Sequence, residues 1–167
     1  MPTLLKNGSV AHDPWTQLAD DSAIPDQGMV LVSLDRWQKD RDALIESGLT
    51  LGLQLDAGEH PDSIADDIGL FDMIALVFPA FSDGRAYSYA RLLRERHDFV
   101  GELRAVGDVL QDQFMYMHRC GFDAFEVKKE ADVIAFADAL TIVSSAYQPA
   151  LDDRRIRGRD ASNRMAA

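Results

Sequence analysis

The stretch Met73-Ile74-Ala75-Leu76-Val77-Phe78-Pro79-Ala80-Phe81-Ser82-Asp83-Gly84-Arg85 decides the fold of this 167-residue chain. Its first eight residues are the longest apolar run in the sequence, interrupted by Pro79 and far short of the roughly 20 residues a membrane-spanning helix needs. The run reads as a buried strand. After Asp83 the period changes, and Ala86, Tyr89, Ala90 and Leu93 recur at helical spacing while Arg91, Arg94, Glu95 and Arg96 occupy the other faces. A strand, a polar loop and a helix therefore follow one another, which is the unit of a parallel sheet.

The same alternation continues in both directions. Apolar strands are expected at residues 29–34, 50–55, 73–78, 103–106 and 122–127, about 20–30 residues apart, as βαβ crossovers require. Between them, Asp35 with Gln38 reads as the capping box of a helix that buries Trp37, Leu44 and Ile45 and stops at Gly48. Pro61 opens a short helix carrying Ile64 and Ile68, with Asp66-Asp67 on its solvated face. Asp108 with Gln111 caps another, whose Leu110, Phe114 and Met117 point inward before Gly121. The last is expected over residues 130–145. The fold class is α/β, with about five consecutive βα units and a parallel sheet, either open and doubly wound or a partial TIM-like barrel. In front of it, Asn7-Gly8 between Leu4-Leu5 and Val10-Ala11 predicts a small N-terminal β-hairpin. Residues 12–28 read as a connector whose Trp15 and Leu18 pack on the domain. The chain thus divides into residues 1–28, an α/β domain over 29–150, and a flexible basic tail over 151–167.

Charge narrows the partners. The chain has 17 Lys+Arg against 28 Asp+Glu, a formal net charge of -11, and a pI near 4.6. A body this acidic is repelled by nucleic-acid phosphates and anionic membranes, leaving proteins and small molecules. The tail holds five arginines against three aspartates, so it is +2 and the remainder is -13. The single cysteine, Cys120, forbids an intrachain disulfide, a CxxC pair or a cysteine-rich metal cluster, and a cytoplasmic location is expected. It sits at a helix C-terminus, where a thiol stays inert. His12, His60, His97 and His118 lie in separate segments without ligand spacing, so no metal site is expected. No nucleotide fingerprint and no serine-nucleophile elbow occurs.

Ligands of parallel α/β folds gather at the carboxyl ends of the strands. The loops expected there hold Asp56 to His60, Pro79 to Arg85, Gly107-Asp108 and Glu126 to Lys129. At Ser82, Gly84 and Arg85, backbone amides at a helix N-terminus and a guanidinium form a candidate site for an anion such as sulfite, phosphate or a carboxylate. Asp83 and Asp108 are the candidate proton-handling groups, each with the simpler role of a helix cap. Glu126 matches either the rim or a buried face, with Lys128 or Lys129 to neutralise it. Tyr87, Tyr89, Phe114 and Tyr116 on consecutive helices form an aromatic patch or core.

Three stretches, residues 77–85, 101–108 and 119–126, together with the Asn-Gly hairpin and Asp13-Pro14-Trp15, resemble a bacterial family of unknown function. Its members carry the label of an oxidoreductase associated with sulfite reduction and are typically encoded beside the sulfite reductase haemoprotein. The resemblance implies a place in assimilatory sulfate reduction and that haemoprotein as partner. Since the chain displays no redox motif and no cofactor is predicted from its residues, the reading is an accessory role in electron delivery, cofactor loading or assembly. The alternative is a small α/β enzyme that binds an anionic metabolite or a flavin at the rim, the flavin phosphate resting on the amides of 82–85.

Overall fold

A computed structural model describes residues 3–6 and 9–128. Eight strands form one mixed sheet: β1 (Thr3–Lys6), β2 (Ser9–Ala11), β3 (Trp15–Gln17), β4 (Met29–Ser33), β5 (Thr50–Leu55), β6 (Met73–Phe78), β7 (Glu102–Gly107) and β8 (Ala124–Val127). Their spatial order is β2-β1-β8-β7-β6-β5-β4-β3. From β3 to β8 every neighbour is parallel and sequential, while β1 is antiparallel to both β8 and β2. This order never reverses, so the sheet lacks the switch point of a doubly wound fold and curls into a half-barrel. The strand pairing β1·β2 lies where the hairpin is expected; its Asn-Gly turn and the helix expected over 130–145, like the basic tail, fall outside the described residues.

The connector expected over 12–28 contains a strand. Trp15–Gln17 extends the sheet beside β4, a pairing that a run so short and polar does not announce. Only residues 12–14 join β2 at one edge to β3 at the other. From Ala11 to Trp15 the backbone reaches at most about 14 Å. Laid flat, the seven intervals between these strands would span about 34 Å. The sheet must therefore curl, and the crossing chain lies over its inner face.

Alternation along the strands separates the two faces. Val32, Leu53, Ile74, Leu76, Leu103 and Phe125 point outward and are buried under the helices α1 (Leu34–Glu46), α2 (Arg85–Glu95) and α3 (Phe114–Arg119). Each such side chain contributes about 1.5–3 kcal/mol on burial. Inward point Leu31, Met73, Ala75, Val77 and Val106, with Trp15 packed against them. Gly52 makes room for the indole, since a Cβ there would lie 2.8 Å from the Trp15 ring.

Local signals were displaced by a residue or two. Ser33, not Asp35, caps α1, its Oγ accepting from the Arg36 amide at 3.0 Å. Arg36 is itself buried and donates to the carbonyls of Ala19, Asp20 and Ser22, pinning the segment before β4. Ile45 is 39% exposed, so the buried stripe of α1 is carried by Trp37 and Leu44. The helix expected after Pro61 is two 3-10 turns, Pro61–Ile64 and Ile68–Leu70. Asp67 does not sit on a solvated face, because it accepts from the Trp37 indole and Arg41. Asp108 caps no helix: a 3-10 turn at Gln111–Gln113 leads into α3, and Leu110 is 38% exposed.

Gly107 closes β7 at φ +95°, and a Cβ there would lie 2.4 Å from the Phe78 carbonyl oxygen. Gly107→Ala should destabilise the chain by at least about 2 kcal/mol, read as a lower urea midpoint at unchanged slope; a change below about 0.5 kcal/mol would show that this approach is not strained.

Candidate functional site

Three neighbouring loops build the carboxyl rim of the sheet: residues 56–60 after β5, 79–84 after β6 and 108–113 after β7. The Asp108 amide donates to the Phe78 carbonyl at 2.7 Å, and the Asp108 carboxylate accepts from the Phe81 amide at 3.0 Å. Gln113 donates through Nε2 to the Phe81 carbonyl at 3.0 Å. Both polar groups of the Phe81 backbone are thereby held by the next loop. Its side chain is turned out and 59% exposed.

Arg85 begins α2 after an N-terminal Gly84 that provides no side-chain cap. Asp83 takes that place. Its carboxylate accepts from the Arg85 amide at 3.1 Å, from Nε at 3.0 and 3.1 Å, and from Nη2 at 2.5 Å. These bonds hold the Asp83 carboxyl down to about 2, the Arg85 side chain being the largest cause and its amide the next. The folded value lies below the ordinary 3.8, so the clamp stands above that pH and is lost as pH falls toward about 2. Arg85 Nη1 turns toward Gly58, within 3.3 Å of where its Cβ would be, so the loops after β5 and β6 meet there.

The anion candidates Ser82, Gly84 and Arg85 do lie together on the exposed rim, but the carboxylate of Asp83 already sits at the helix N-terminus. Any incoming anion meets that charge first. Asp83 and Asp108 are likewise engaged, one with Arg85 and the other with Phe81. Glu126 lies away from these loops, on the inner face, where burial pushes its carboxyl up against the opposing pull of Arg104. Among the described residues, no group of three His, Cys, Asp or Glu side chains is placed to hold a metal ion. None of the described helices is long and apolar enough to cross a membrane.

Aromatic rings adjoin the rim. Tyr87 packs on Phe78 with centroids 5.1 Å apart and on Tyr116 at 4.8 Å. Tyr116 is 55% exposed, whereas Phe114 is wholly buried against Phe125 and belongs to the core. Tyr89 instead meets His60. Cys120 is buried, and burial raises its thiol pKa.

Sequence reasoning missed a second polar cluster on the inner face. Arg104, 2% exposed, donates to both Asp13 carboxylate oxygens at 2.7 and 3.1 Å and to Glu102 at 2.9 Å, and Lys6 reaches Glu102 at 2.6 Å. The signal was the alternation of Glu102, Arg104 and Val106 against Leu103 and Ala105, which places two charges on one face of a central strand.

A model of the family described as a bacterial protein of unknown function (DUF934) matches residues 52–156. No curated protein matches the chain.

Burial, with Cys120, Tyr116 and Asp112 nearby, pushes the Tyr87 phenol up to about 12. A raised value means that the neutral phenol is favoured by folding, so stability is complete below pH 10.0 and is lost as pH rises toward about 12. Phenolate absorbance should show a step near pH 12 that Tyr87→Phe removes; a Tyr87 that ionises near 10 would mean that its ring is open to water.

Proposed function

As the chain belongs to this family of bacterial proteins of unknown function (DUF934), we propose that it is a cytoplasmic accessory protein of sulfite reduction that serves the sulfite reductase haemoprotein through protein contacts. The contacts are made by the carboxyl rim, and their purpose is electron delivery, cofactor loading or assembly. The pathway comes from the family resemblance of residues 77–85, 101–108 and 119–126.

One observation carries the choice of surface. The two rim carboxylates Asp83 and Asp108 are spent on holding the loops, one on Arg85 and the other on Phe81, while Phe81, Leu110 and Tyr116 face solvent. Preformed loops with outward aromatic and aliphatic side chains lose little entropy on docking and supply the kind of anchors that dominate protein interfaces. The second reading, an enzyme binding an anionic metabolite or a flavin phosphate at residues 82–85, draws support from the half-exposed Arg85 guanidinium. Its ligand has to displace Asp83.

Mixing the purified chain with the haemoprotein should give a complex on gel filtration, and Phe81→Asp should weaken it at least about tenfold, or ~1.4 kcal/mol. Absence of a complex, or a complex indifferent to Phe81→Asp, would contradict this reading. A yellow protein whose flavin is lost on Arg85→Ala would favour the enzyme instead.

A further inference from the structure

The inner face of the half-barrel is covered by residues 13–15 of its own chain. Asp13 presents its carboxylate to the Arg104 fork, and two residues later the Trp15 ring lies on Gly52 beside Leu31. We propose that this face is a recognition site for an extended acidic-aromatic segment of a partner protein, a carboxylate followed two positions later by an aromatic ring. Residues 13–15 occupy it in the unbound chain.

The chemistry of the site selects that class. Glu102 takes the Nε of a guanidinium that is 2% exposed, and the fork of its two terminal nitrogens matches the two oxygens of a second carboxylate. Glu102 on β7 and Glu126 on β8 also face Arg104, with Lys6 on β1 paired to Glu102 and Lys128 near Glu126. With Asp13 displaced, the two acids Glu102 and Glu126 face three cations, so a single carboxylate restores the balance that a doubly charged anion such as phosphate exceeds. The seat for the ring is equally specific, because any side chain at position 52 would fill it.

The resident segment is placed to be displaced. Residues 12–14 belong to no strand, the strand that follows is three residues long, and the Asp13 side chain is 41% exposed. Being tethered, it competes at an effective concentration of about millimolar, which sets how strongly an outside segment must bind.

The test uses the full chain and a fluorescein-labelled peptide with the sequence of residues 9–17. Asp13→Ala should bind the peptide at least about tenfold tighter than the unaltered chain, and a peptide with alanine in place of both Asp13 and Trp15 should not bind. In the unaltered chain, millimolar unlabelled peptide should speed amide exchange at residues 15–17, a readout that stands if Asp13→Ala fails to fold. Equal binding of both peptides, no binding by a folded Asp13→Ala chain, a dimer of that variant that ignores the peptide, or unchanged exchange in the unaltered chain would overturn the proposal.

Discussion

The ion pair between Asp13 and Arg104 joins residues 91 positions apart and fastens the three-residue crossing that bends the sheet. Without the curl, three residues could not join β2 at one edge to β3 at the other. The curl closes the inner face over Met73 and Ala75, both wholly buried, while the parallel neighbours β5, β6 and β7 end their loops on one rim. Asp13 is 41% exposed and Arg104 keeps Glu102 when Asp13 is lost, so the pair contributes well below the ~3–5 kcal/mol of a fully buried one. The pair acts mainly as a register device, fixing which strand closes the edge.

From that frame the rim inherits its character. Its loops are cross-braced through backbone and carboxylate, so they present a fixed surface rather than an adaptable pocket. Asp83 and Asp108, the candidates for proton transfer, are the braces. Phe81, Leu110 and Tyr116 face outward beside the exposed Arg85 and His60, on a chain body of strong negative charge. A surface of this kind fits a protein partner with apolar contacts and basic surroundings better than it fits a small anion.

Much of the architecture was legible because β4, β5 and β6 are largely apolar runs, β7 and β8 alternate, and all five stand at crossover spacing. The strand Trp15–Gln17 was not, since three residues after a proline carry no period and acquire strand form only by pairing with β4. Caps were misplaced for a local reason: Ser33 and Asp35 are both good caps, and the choice depends on where β4 ends. For the site, the sequence placed residues 79–85 and 107–108 on one rim, and the structure does bring them together. It did not reveal that Asp108 holds Phe81 or that Asp83 occupies the anion position, because both contacts depend on loop geometry. The Arg104 cluster was the least legible feature, requiring the curl to bring Asp13 onto β7.

Hydrogen exchange of the chain with and without the sulfite reductase haemoprotein tests the central claim, that the braced carboxyl rim is the docking surface. The account predicts slowed exchange across residues 79–85 and 107–116 in the presence of the haemoprotein. Unchanged exchange there, or protection confined to other surfaces, would contradict it.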